Sequence, residues 1–75
     1  MFSKNIFSVR VRELRLSKNL KQIELGKILN LSVQAINDIE RGRRTTTFEN
    51  LCILAEYFNV SADYLLGLSD IKERK

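Results

Sequence analysis

Val33, Gln34, Asn37, Asp38 and Arg41 recur at the spacing that places residues on one side of a helix, and their side chains are ones that a nucleic acid can engage. The amide of a Gln or Asn sets a donor beside an acceptor, the pair that adenine offers in reverse along its major-groove edge; Arg fits guanine or phosphate. A two-bond contact of this kind discriminates between bases by roughly 1–3 kcal/mol. The same five residues also read as an ordinary solvated helix face. Asp38 speaks for that alternative, because phosphates repel a carboxylate.

Such a face needs a helix anchored by its other side. On a wheel of about 100° per residue, Ala35, Ile36, Ile39 and Glu40 fall on the opposite arc, so the segment is amphipathic with a carboxylate on its inward side. Ser32 is placed to cap its first turn, worth about 1 kcal/mol, and Gly42 ends it. Just upstream, Ile23, Leu25, Ile28 and Leu29 mark a second short helix, opening at about Lys21 or Gln22 and lacking the usual Ser, Thr, Asp or Asn cap. Asn30 follows as a residue that tolerates the left-handed conformation of a helix end. Gly26 leaves room for the next helix to cross closely. Residues 22–41 therefore predict two helices joined by a sharp turn.

Seventy-five residues support one domain with a small core. The apolar content of 44 % is ordinary for a globular chain. Neither a membrane-length apolar run nor a secretory signal is visible, so a cytoplasmic protein is expected. One cysteine precludes an internal disulfide, and the absence of histidine removes the commonest metal ligand and general base. Catalysis, a metal site, a cofactor and a small-molecule ligand are accordingly not expected. Charge is unevenly spread: residues 1–44 hold ten Lys or Arg against four Asp or Glu, and residues 45–75 three against five. The net +6 on the first part favours an anionic partner, though solubility alone can produce such a bias.

Elsewhere, residues 1–6 read as a flexible arm, residues 7–68 as the folded domain and residues 69–75 as a charged, mobile tail. Phe7, Val11, Leu14 and the Lys18 stem give a first helical face that Asn19 closes. Arg43 and Arg44 stand in a loop without apolar residues, either gripping phosphate or merely solvated. Thr47 caps a fourth helix whose stripe comprises Phe48, Leu51, Cys52, Leu54, Ala55 and Phe58, with Cys52 expected as a small buried hydrophobe. Ser61 opens a short fifth helix and Gly67 ends it. Leu65, Leu66 and Leu68 either complete the core or pair with a second copy.

These features together resemble the phage repressor and Cro type of helix-turn-helix regulators, the XRE family, from Val9 to Gly67. The likeness is carried by RELR at 12–15, Gln22, the small residue at 26, Leu31–Ser32, IERG at 39–42 and LCILAEYFNVSADYLLG at 51–67. Lys21, Asn30 and Thr46 depart from the usual cap, Gly and nearby Pro. The resemblance implies an all-α, compact five-helix domain whose third helix enters the major groove. Val33, Gln34 and Asp38, with Asn37 beside them, would face bases: Val33 a thymine methyl, Asp38 a cytosine amino group. Gln22, Arg41, Arg43 and Arg44 would hold the sugar-phosphate backbone. Arg15 and Glu40 match positions that form an ion pair in the family. The expected function is sequence-specific regulation of transcription, as a repressor, by a homodimer on a near-palindromic stretch of double-stranded DNA. A protein-interaction module of antitoxin or adaptor type, using the fifth helix, is the rival reading.

Overall fold

A computed structural model describes residues 2–74 of the chain; Met1 of the expected arm and Lys75 of the expected tail lie outside them. Among these residues the elements are five helices in the order α1 (Lys4–Ser17), α2 (Gln22–Leu29), α3 (Val33–Glu40), α4 (Phe48–Phe58) and α5 (Ala62–Leu66). Phe7, Val11, Leu25, Ile36, Ile39, Leu54 and Leu65 are almost wholly buried and form the centre of the core. Leu14, Leu29, Phe58, Val60 and Tyr64 close around them, each drawn from the apolar face of its segment.

The first helix begins earlier than the sequence pattern suggests. Ser3 accepts a hydrogen bond from the Ile6 amide at 3.2 Å, and its own amide donates to the Leu66 carbonyl at 3.1 Å. A cap and a tie to α5 thus replace a loose arm over residues 3–6, and Phe2 sets its ring 6.3 Å from that of Phe7. The far end of the chain is also held. Ser61 donates its amide to the Lys72 carbonyl at 2.7 Å and its hydroxyl to the Ile71 carbonyl at 3.0 Å. Arg10 bonds the carbonyls of Tyr64 and Ser69, pairs with Asp70 at 2.7 Å and stacks 4.1 Å over the Tyr64 ring. Residues 69–72 are therefore folded back on α1 and α5 and do not form a free tail.

Asn30 ends α2 as expected, and Asn59 ends α4 in the same way: both adopt left-handed backbone, with φ of 56° and 54°. At the start of α2, where Lys21 provides no cap, Glu24 reaches back to accept from the Lys21 amide at 2.8 Å. Gly26 lies where the turn doubles back. A Cβ there would stand 2.5 Å from the Leu31 carbonyl oxygen and 3.6 Å from Ile36, so the room is needed first by the turn and only then by α3. Gly26→Val is expected to lower the thermal midpoint by several degrees, since the turn must open to admit the branched side chain; a midpoint at the parent value would contradict that packing.

Three apolar assignments change. On α4 the inward face is Leu51, Leu54, Ala55 and Phe58; Phe48 and Cys52 occupy the neighbouring row, which no other described element covers. Cys52 is consequently exposed, and Phe48 is 79 % exposed. Ile23, in the first turn of α2, is exposed because only Leu25, Ile28 and Leu29 point at the core. Leu65 is fully buried and serves the core, so it is not available to a second copy; Leu66 is half-buried and Leu68 exposed.

Candidate nucleic-acid interface

The third helix is fixed by its inward side. Ser32 accepts from the Ala35 amide at 3.1 Å, and Ala35, Ile36 and Ile39 are buried against α1 and α2. Below them, Arg15 on α1 grips Glu40 with two parallel bonds, Nε to Oε2 at 2.6 Å and Nη2 to Oε1 at 3.0 Å. Its third donor, Nη1, goes to the Leu20 carbonyl at 2.7 Å. Gln22, opening α2, adds its amide nitrogen to Glu40 Oε1 at 3.2 Å. One carboxylate thus joins the end of α1, the start of α2 and the end of α3. That network explains an acidic residue on an otherwise apolar arc: the Glu40 side chain is only 3 % exposed and needs each of these donors.

The opposite side of α3 is uncovered. Val33 and Gln34 are exposed, Asn37 and Asp38 half-buried. Within that face Gln34 donates its amide nitrogen to Asp38 Oδ1 at 3.1 Å, one helical turn on. Beyond the helix, Gly42 takes a left-handed φ of 74° and passes close to Asn5 and Ser8 of α1, where a Cβ would meet Asn5 Oδ1 at 3.2 Å. The chain then turns, and the Arg43 amide donates to the Asp38 carbonyl at 2.9 Å. Arg43 and Arg44 project from this turn into solvent, with Arg43 Nη1 3.9 Å from Asp38 Oδ1.

Basic groups border the face. Arg12, Arg41, Gln22 and Asn37, with the Arg15–Glu40 pair at the floor, line a polar cleft of about 310 Å³ where α1, α2 and α3 meet. Arg12 lies outside the site residues expected from the sequence. Its signal is the spacing from Arg15, three residues and nearly one turn along α1, which aims it at the same cleft. An anion seated there would meet two guanidinium groups not paired within the described residues, Arg12 and Arg41. Among the described residues no group of three or more His, Cys, Asp or Glu could hold a metal ion.

Two helices set by a left-handed Asn, with the second presenting amides and flanked by arginines, is a helix-turn-helix arrangement, and residues 11–65 match the helix-turn-helix family model. The chain belongs to the XRE-type helix-turn-helix family. It is 35 % identical over 71 residues to the HTH-type transcriptional regulator PrpR of Mycobacterium tuberculosis, a match covering 95 % of this chain and 15 % of that protein. It is 35 % identical to the control protein C.SmaI of Serratia marcescens, covering 96 % of this chain and 86 % of that one. The P22 c2 repressor, solved in complex with a synthetic operator, superimposes with a TM-score of 0.78 at 33 % identity, over 85 % of this chain and 97 % of that chain. The helix-turn-helix chain thus spans very different shares of its relatives, from 15 % of PrpR and 62 % of YobD of Bacillus subtilis to 86 % of C.SmaI. Its domain is a DNA-binding regulator fold of the repressor and controller type. No helix among the described residues is long and apolar enough to cross a membrane.

Proposed function

We propose that this domain binds double-stranded DNA sequence-specifically with α3 in the major groove, as a homodimer that represses transcription by occupying a near-palindromic operator. The observation that carries the reading is the two-sidedness of α3. Its inner side is locked by Ile36, Ile39 and the Arg15–Glu40 pair, while Val33, Gln34, Asn37 and Asp38 stand outside with arginines around them. A rigid helix with a free polar face needs little reordering when it enters a groove. Gln22, Arg41, Arg43 and Arg44, joined by Arg12, would hold phosphates and set the register; the four α3 residues would set base preference.

Backbone contacts make affinity depend on salt, with log K falling by about 0.9 for each phosphate neutralised. Measured against log salt, Arg43→Ala combined with Arg44→Ala is expected to weaken every duplex alike and to flatten the slope by about 2. An unaltered slope would remove these two arginines from the interface.

A dimer on a palindrome requires a surface that can face its own copy. The exposed row of α4 borders a groove of about 340 Å³ lined by Phe2, Thr46, Phe48, Leu51 and Leu66, with no charged side chain in its lining. Phe48 projects at the rim as a knob, and an uncharged patch that carries both knob and hole can meet itself across a two-fold axis without like charges opposing. Of the leucines expected from the sequence to pair, Leu66 lines this groove, Leu68 is exposed outside its lining, and Leu65 is buried in the core. Thr45, which directly follows Arg44, and Thr47 also line the groove, so pairing here would bring the two phosphate-holding loops together. The duplex requires the two reading helices to sit about 34 Å apart, one helical turn.

A further inference from the structure

We propose that Asp38 is a positioning residue: it fixes which way the Gln34 amide faces, and so makes adenine the preferred base opposite Gln34, without itself contacting a base. The inference rests on α3 being the reading helix and specifies what that helix reads.

Gln34 and Asp38 are one turn apart on the open face, joined by the bond from Gln34 Nε2 to Asp38 Oδ1 at 3.1 Å. An ionised carboxylate only accepts hydrogen bonds. The nitrogen end of the amide must therefore be the end turned towards Asp38; the flipped amide would set Oε1 against a carboxylate oxygen. An amide nitrogen carries two hydrogens, and Asp38 uses one. With Asp38 on the hydrogen trans to Oε1, the other lies on the same edge as Oε1 and leaves one donor and one acceptor side by side for a ligand. Adenine matches that edge with its N7 acceptor and N6 amino donor, whereas guanine presents two acceptors, N7 and O6, and would bring O6 against Oε1.

Asp38 is also tied to the loop that follows α3. Its backbone carbonyl receives the Arg43 amide at 2.9 Å, and Arg43 Nη1 lies 3.9 Å from the same Oδ1 that receives Gln34. The side chain is 28 % exposed, at the foot of the reading face and not at its crest. A negative charge there weakens attraction to phosphates, a disadvantage an asparagine would avoid. What asparagine lacks is the one-way character of a carboxylate: it can donate as well as accept, so Gln34 could then pair with it in either orientation.

The test measures affinities of the parent, Gln34→Ala, Asp38→Asn and the double variant for a selected duplex and for its versions with each base pair changed in turn. Gln34→Ala is expected to erase, at one position in each half-site, a preference for adenine of roughly 5- to 150-fold. Asp38→Asn is expected to tighten binding to every duplex and to reduce adenine-over-guanine preference severalfold at that same position; the double variant should lose no more there than Gln34→Ala alone. Even tightening with the base ranking intact would make Asp38 a mere charge and overturn the inference. So would a change in preference at a different position, which would make Asp38 a reader in its own right. If Gln34→Ala left every preference unaltered, the assignment of the reading face would fail first and the inference with it.

Discussion

Glu40→Ala is expected to unfold at a much lower urea concentration than the parent, with a stability loss on the order of 3–5 kcal/mol. Removal of the carboxylate strands the guanidinium of Arg15, whose side chain is only 10 % exposed, with the Leu20 carbonyl as its remaining partner. Gln22 loses its acceptor on Glu40 at the same time, so the start of α2 loosens along with the end of α3. Domains of this kind are stable by on the order of 5–15 kcal/mol in total, and the loss would be a large fraction of that. The pair itself is not what makes the fold strong; the damage comes from breaking one side of it. Replacing both partners with apolar residues, Arg15→Met with Glu40→Leu, should therefore recover much of the stability that Glu40→Ala removes. Denaturation followed by far-ultraviolet circular dichroism distinguishes the outcomes, and a Glu40→Ala midpoint equal to the parent's would contradict the account of how α3 is held.

The second large effect concerns assembly. Phe48→Glu is expected to leave the thermal midpoint nearly unchanged, because the ring is 79 % exposed and outside the core, yet to render the protein monomeric in sedimentation equilibrium. A charge on the proposed two-fold patch would face its own copy. With the copies uncoupled, the second half-site is no longer bound at high effective concentration, and affinity for a full palindrome should fall by roughly 10²-fold or more. A Phe48→Glu protein that stayed dimeric and bound the palindrome as before would place the pairing surface elsewhere.

The helices and their ends were legible in the sequence where a local rule acts alone. Ser32, Thr47 and Ser61 cap the helices expected of them, accepting from the amides three residues on, and Asn30 and Asn59 supply left-handed ends. The inward arc of α3 followed from periodicity, and the proximity of Arg15 to Glu40 came from the family likeness. What the pattern could not reveal depended on contacts distant in sequence. The Ser3 cap of α1 is itself a local signal, but the tie of its amide to Leu66 is not; residues 69 and 70 are held by Arg10 and residues 71 and 72 by Ser61, both from far along the chain. None of these long-range ties has a local signature. Cys52 and Phe48 extend the apolar spacing of α4 by one row, but a row counts as core only if another element covers it, and here none does. In the candidate interface, the exposed residues of α3 were visible on a helical wheel. The bond between Gln34 and Asp38 was not, since i and i+4 spacing allows a contact without dictating its direction.

The most direct measurement is selection of bound duplexes from a random pool at low and at moderate salt. The account predicts enrichment of a near-palindromic site whose half-sites lie about one helical turn apart, with the same bases enriched at both salt concentrations while total binding falls. Recovery of duplexes without common sequence, together with a stoichiometric protein partner seated on α5 in place of DNA on α3, would contradict it.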